Sequence, residues 1–208
     1  MKRATIVKIA SWKLAVLVVV LAVIAWGQGF AWQFDAFSTY LLFPLFGLLA
    51  FSLMWSHYIT GAIRRLAGLD KTVNKTYLAV TGYIVLILIL LHPGLLIWQL
   101  WRDGMGLPPE SYLHYVAPGL AWVALLGTVS LGVFLSYELH HWFKERSWWP
   151  WVAHVSDVAM LAIFYHGLRL GSQTQAGWYH LVWWFYGVTL VMALGIIYYR
   201  DTKREGYI

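Results

Sequence analysis

Six long runs of apolar residues constrain this chain more than any other feature of its sequence. They cover about residues 14–34, 40–60, 77–101, 115–139, 149–170 and 178–199. A helix needs about 20 apolar residues to cross roughly 30 Å of hydrocarbon. Hydrophobic residues make up 61% of the 208 residues and charged residues only 12%, which is too apolar for a soluble domain of this size. The sequence therefore predicts an all-α integral membrane protein, a single domain of six transmembrane helices over residues 1–208.

The basic residues predict the orientation of this bundle. Arg102 and Arg169 are expected on one side of the membrane, and the remaining 13 of the 15 Lys and Arg on the other. Those 13 are Lys2, Arg3, Lys8, Lys13, Arg64, Arg65, Lys71, Lys75, Lys144, Arg146, Arg200, Lys203 and Arg204. Because positively charged loops stay in the cytoplasm, both termini are expected there, in a bacterial-type inner membrane. The net charge of +6 is thus a topology signal, and lipid, not nucleic acid, is the expected surrounding.

Two features that the sequence lacks exclude several kinds of cofactor site. The chain has no cysteine, which excludes disulfides, thiolate iron–sulfur ligation and covalent heme attachment through Cys-x-x-Cys-His. It also has no Gly-x-Gly-x-x-Gly pattern, so a flavin or nicotinamide domain is not expected within this polypeptide. The basic and apolar N-terminal segment is interpreted as an uncleaved first helix, because no clear cleavage site follows it.

The histidines are the candidate functional residues, because ionisable groups at bilayer depth are costly to keep. Four of the eight, His114, His140, His141 and His180, lie near span ends, where an interfacial role explains them. Counted from the cytoplasmic ends of their spans, His92 lies roughly 24 Å deep and His166 roughly 25 Å deep. Two imidazoles from separate helices at one level are what axial ligation of a b-type heme requires. His92 and His166 are therefore predicted to be the ligands of a heme iron.

A second heme site has weaker geometric support. His154 lies twelve residues before His166, about 18 Å nearer the cytoplasm and rotated by about 120°. Its candidate partner at that level is His57 on the second span, with His140 and His141 as further options. The alternative for His57 and His154 is a hydrogen-bonded core imidazole.

Two charged residues near these histidines have open interpretations. Asp157, one turn after His154, either accepts a hydrogen bond from that histidine or pairs with a basic residue at a helix end. Arg169, three residues after His166, either binds a heme propionate or contacts lipid headgroups. Gly82, Gly127 and Gly132 lie inside spans, where a missing side chain admits a neighbouring helix or a flat macrocycle.

Three segments carry a resemblance to a known superfamily. The stretches GYIVLILILLHPGLL around His92 and WVAHVSDVAMLAIFYHGLRLG around His154 and His166 resemble the third and fifth helices of the ferric reductase-like transmembrane domain. That superfamily includes NADPH oxidases, ferric reductases and the heme-binding membrane subunit of the bacterial methionine sulfoxide reductase system. The segment RRLAGL, at residues 64–69, is similar to the basic loop before the third helix of the bacterial subunit.

The resemblance implies a b-type cytochrome that moves electrons across the membrane between stacked hemes. It implies that His92 and His166 are the outer ligands and His154 an inner ligand. The inner position of the third span, about 14 residues before His92, is Leu78 in this chain. Either His154 has another partner, or electrons arrive from a donor inside the bilayer such as a quinol.

The sequence thus predicts an electron-transfer subunit with one heme b, a second heme being possible. Its donor is expected to be a cytoplasmic flavoprotein or a quinol, and its acceptor lies on another protein. The main alternative is a non-catalytic structural or assembly subunit of a larger membrane complex that has lost some or all heme. A small proton-relaying transporter is a further alternative, which the scarcity of intramembrane carboxylates disfavours.

Overall fold

The chain folds almost entirely into helices. The computed structural model describes residues 2–34, 38–138 and 145–205. Within them, the helices are α1 (Lys2–Gly29), α2 (Thr39–Leu66), a 3₁₀ turn (Lys71–Asn74), α3 (Lys75–Arg102), α4 (Glu110–Tyr115), α5 (Ala121–Glu138), α6 (Trp149–Leu170), α7 (Ser172–Gln175) and α8 (Gly177–Glu205). The predicted all-α class is confirmed.

Four helical segments are long and apolar enough to cross a membrane. They are Lys2–Gly29, Thr39–Leu66, Lys71–Arg102 and Gly177–Thr202. The apolar part of α5, Ala121–Ser136, is shorter than these four. Helix α6 has 22 residues and rises about 33 Å, and it carries the ionisable residues His154, Asp157 and His166.

Two predicted spans include residues that are not helical in the structure. Helix α1 ends at Gly29, not near residue 34, because the chain then turns and the Trp32 amide donates to the Gly27 carbonyl oxygen at 2.8 Å. Gly27 accommodates this turn, since a Cβ there would lie 2.5 Å from the Trp32 ring. The fourth predicted span began at residue 115, but α5 begins at Ala121, after Gly119 with its positive φ of 83°. Residue 139, the predicted end of that span, lies outside the described residues.

The helices form two groups. Helix α2 is central to the larger group and packs against α1, α3 and α8. Aromatic side chains fill the α2–α8 contact, where the Phe51 and Trp183 rings lie 4.3 Å apart and the Trp55 and Tyr186 rings 4.4 Å apart. Helices α5 and α6 pack mainly against each other and make few backbone approaches to α2, α3 or α8 among the described residues. A gap between the two groups is the consequence.

Candidate heme site

The gap between the two helix groups is a cavity of about 240 Å³. Helices α2 and α3 form one wall, and α5 and α6 form the opposite wall. One imidazole comes from each side, His92 from α3 and His166 from α6. The centroids of these two rings are 6.5 Å apart and their planes are nearly perpendicular, at 86°. The two histidines that the sequence places at one depth therefore meet at one cavity.

Each imidazole is oriented by a backbone carbonyl of the neighbouring helix. His92 Nδ1 donates to the Phe43 carbonyl oxygen of α2 at 2.6 Å, and His166 Nδ1 donates to the Val123 carbonyl oxygen of α5 at 2.8 Å. A carbonyl only accepts, so both neutral rings carry their proton on Nδ1. The lone pair on Nε2 is then free to bind a metal, and neither Nε2 has a hydrogen-bond partner among the residues described.

A glycine makes each of these contacts possible. Gly47 follows Phe43 by four residues, and Gly127 follows Val123 by four. In an α-helix the Cα–Cβ bond tilts toward the N-terminus, so a side chain four residues later would cover the carbonyl. A Cβ on Gly47 would lie 2.8 Å from His92 Nδ1, and one on Gly127 would lie 2.8 Å from His166 Nδ1. The two halves of the site therefore repeat one arrangement: histidine, carbonyl, and glycine four residues on.

The cavity walls differ in polarity along the bundle axis. At the end covered by α4 and α7, residues with hydroxyl groups line the cavity: Tyr112, Tyr115, Thr128, Ser172 and Thr174. Toward the opposite end, the lining is apolar: Met54, Ile89, Leu131, Phe134 and Ile163. A ligand with one polar edge and an otherwise apolar body would match this division.

A polar cluster fixes α2 against α3 beyond the His92 end of the cavity. Thr39 of α2 donates to the side-chain oxygen of Gln99. The Gln99 amide and the Tyr40 hydroxyl in turn donate to the carboxylate of Asp103 at 2.9 and 2.7 Å. Asp103 follows α3, and these hydrogen bonds, that of Gln99 first, hold the pKa of its carboxyl below the usual range. The cluster therefore connects the first turn of α2 to the C-terminal end of α3.

The structure does not bring His57 and His154 together in the same way. The Thr81 hydroxyl donates to the Tyr77 carbonyl oxygen, so His57 Nε2 donates to Thr81 Oγ1, at 2.6 Å. This is the geometry of a hydrogen-bonded core imidazole. His154 is exposed on α6, with its ring stacked on Tyr198 of α8 at 5.4 Å. His140 and His141, the other options for an inner partner, lie outside the described residues.

The remaining sequence candidates occupy varied positions. Arg169 is exposed, with its guanidinium carbon 6.0 Å from the centre of the Tyr165 ring. His114 is exposed at the end of α4, and His180 donates from Nδ1 to the Thr174 carbonyl oxygen at 2.7 Å. Asp157 accepts hydrogen bonds from the hydroxyls of Tyr58 and Tyr198.

Sequence reasoning missed Gly47 and the two carbonyl acceptors. The sequence predicts that Gly127 admits a neighbouring helix or a flat macrocycle, and in the structure it admits the His166 ring of the neighbouring helix α6. In the sequence, these residues are marked only by the glycine that follows each of Phe43 and Val123 by four residues. That spacing can be interpreted only when the helix packed against it is known. In the described part of the chain, no three His, Asp or Glu side chains cluster as ligands of one metal ion. Two-coordinate protein ligation of a heme iron does not need such a cluster.

Comparison with protein-family models, with curated proteins and with solved structures finds no match for this chain.

Proposed function

We propose that the chain is a membrane-bound b-type cytochrome that holds one heme between His92 and His166 and serves as an electron-transfer subunit. The carrying observation is the 6.5 Å separation of the two ring centroids. A metal–imidazole bond is about 2 Å long and a ring centroid lies roughly 1.1 Å from its nitrogen, so two imidazoles on opposite sides of one ion have centroids about 6.2 Å apart. The free Nε2 atoms and the cavity between the helix groups support the same ligand.

The protein's own residues would tune this site. Donation from His92 and His166 Nδ1 to backbone carbonyls raises the basicity of each Nε2 and fixes the ring orientation. Apolar side chains such as Leu131 and Phe134 exclude water from the body of the macrocycle. The hydroxyl-lined end near α4 and α7 is where the carboxylates of the heme would lie. When bound, the heme supplies reversible one-electron transfer.

The resemblance to the ferric reductase-like transmembrane domain supports the same proposal and suggests the membrane topology and the redox partners. In that topology six helices cross a bacterial-type inner membrane with both termini in the cytoplasm, and α5 and α6 are the two crossings beyond the four longest helices. A quinol or a cytoplasmic flavoprotein would be the donor, and another protein the acceptor. We propose a single heme, since His57 is bonded to Thr81 and His154 stacks on Tyr198.

The purified chain provides the test of heme content. Pyridine hemochrome absorbance, measured against protein mass, is expected to give one heme b per chain. A preparation expressed with ample heme that shows no Soret band would contradict the proposal and leave the structural or assembly subunit as the better explanation. Two hemes per chain would contradict the single-site form.

The proposed orientation makes a prediction that the cysteine-free sequence makes easy to measure. Lys71, in the 3₁₀ turn before α3, and Leu107, between α3 and α4, are both exposed. A membrane-impermeant maleimide should label Leu107→Cys in intact spheroplasts and label Lys71→Cys only after lysis, because basic loops stay in the cytoplasm. The reverse pattern would contradict the orientation.

Arg169 provides a further prediction, on the redox potential. If its guanidinium lies near the heme carboxylates, Arg169→Gln should keep the Soret band but lower the midpoint potential, since removing a cation disfavours the added electron. Exposed ion pairs contribute up to about 1 kcal/mol, so the shift should be at most roughly 40 mV. Arg146→Gln, an exposed arginine before the other end of α6, is the matched control. Equal potentials in the two variants would assign Arg169 to lipid headgroups.

A further inference from the structure

Asp157 joins α6 to two helices of the other group. Its Oδ1 accepts from the Tyr58 hydroxyl of α2 at 2.8 Å, and its Oδ2 accepts from the Tyr198 hydroxyl of α8. Both oxygens of one carboxylate inside an apolar helix are therefore satisfied by side chains from different helices. A carboxylate is costly at such a position, so its retention calls for a function.

This three-helix contact matters because, within the described part of the chain, the backbone of α6 approaches the larger group at few points. Near His166, the Trp183 indole of α8 donates to the Phe164 carbonyl oxygen at 3.1 Å. Asp157 lies seven residues earlier, about 10 Å along the helix axis. Two separated attachments fix the roll of a helix about its axis better than one attachment can.

The roll of α6 decides where His166 points. Nine residues separate Asp157 from His166, and nine steps of 100° place the two side chains on opposite faces of α6. With Asp157 bonded to α2 and α8 on one face, His166 is turned toward α5 and the cavity on the other.

We infer that Asp157 is a positioning residue that sets the roll of α6 and so holds His166 opposite His92. The inference rests on the proposed function in one respect: an effect of Asp157 on the ligation of a heme iron requires that the chain binds heme. The contact itself belongs to the chain and can be measured whether or not heme is bound.

The test compares three substitutions on one helix. Asp157→Leu keeps the branched shape of the side chain, in a larger volume, and removes both acceptors, whereas Asp157→Asn keeps an amide of nearly the same size that can bond both tyrosine hydroxyls. Ser156→Ala is the matched control, because the Ser156 hydroxyl bonds within α6 to the Val152 carbonyl oxygen. We expect Asp157→Leu to lose the low-spin, six-coordinate absorption spectrum in part of the population, and the other two to match the wild type.

A second readout does not depend on heme. Spin labels at Ile63→Cys on α2 and Val155→Cys on α6, both exposed positions in a chain without cysteine, report the α2–α6 distance distribution. The distribution should broaden in Asp157→Leu and be restored in Asp157→Asn. If Asp157→Leu does not accumulate, the double variant Tyr58→Phe with Tyr198→Phe removes the same two bonds and is measured in its place.

The outcomes separate the two claims. Unchanged spectra and unchanged label distances in Asp157→Leu, or in the tyrosine double variant, would overturn the positioning role. A wild-type chain without heme would overturn the proposed function, while the label distances would still decide the role of Asp157.

Discussion

Each of the variants His92→Ala and His166→Ala should lose the low-spin Soret and α-band spectrum of the purified chain. Removing either imidazole leaves the iron with one protein ligand and an enlarged cavity beside it. Heme content per chain should also fall severalfold, because the two histidines come from the two helix groups and the bound iron would connect them. Absorption spectra of ferric and dithionite-reduced protein, normalised to chain concentration, measure both effects.

Two other histidines serve as matched controls for this prediction. His57 bonds Thr81, and His180 bonds the Thr174 carbonyl and accepts from the Trp184 indole, so both imidazoles have structural partners. His57→Ala and His180→Ala should keep the wild-type spectrum even if they lower thermal stability. A His166→Ala protein with an unchanged low-spin spectrum would remove the assignment of that ligand.

Gly127→Ala should weaken heme binding, although it adds only one methyl group. A Cβ at this position would lie 2.7 Å from His166 Cε1, closer than real Cβ contacts allow, and the crowded ring would lose its bond to the Val123 carbonyl. Overpacking typically costs about 1–3 kcal/mol, and every 1.4 kcal/mol is about tenfold in affinity. Titration of heme into heme-depleted protein should therefore show an affinity at least about fivefold lower.

The same helix supplies the control for the glycine prediction. A Cβ on Gly132 would have no neighbour within 4 Å, so Gly132→Ala should bind heme as the wild type does. Gly47→Ala should behave like Gly127→Ala, since its Cβ would meet the His92 ring at 2.8 Å. Equal heme affinities for Gly127→Ala and Gly132→Ala would contradict the role given to the histidine–carbonyl–glycine arrangement.

The sequence predicts the depth of a residue in the helix bundle better than the direction in which its side chain points. Counting 1.5 Å per residue places His92 and His166 at one depth, and their rings do lie together. The same count places His57 and His154 at a common level, but the roll of each helix turns His57 toward Thr81 and His154 toward Tyr198. The rotation of each helix about its axis is set by side-chain packing between helices, and counting residues along the sequence gives no information about that packing.

The predicted helix ends are wrong where a local turn interrupts an apolar run. The apolar character of residues 30–34 continues the first run, yet the Trp32 turn over Gly27 ends α1. Likewise, the run from residue 115 is apolar, but α5 begins only at Ala121 because Pro118 and Gly119 interrupt the helix. Hydrophobic content thus marks residues that can contact lipid and does not by itself place helix ends.

Low-temperature electron paramagnetic resonance of the oxidised, purified chain tests the central claim most directly. Each imidazole splits the two iron d-orbitals of π symmetry along its own plane, so perpendicular rings leave those orbitals nearly degenerate. With the His92 and His166 planes at 86°, we predict a low-spin ferric signal of the highly anisotropic type, with one dominant large g value, that disappears in both alanine variants. A rhombic low-spin signal would contradict the ring geometry, and a high-spin signal or no heme iron at all would contradict ligation by His92 and His166.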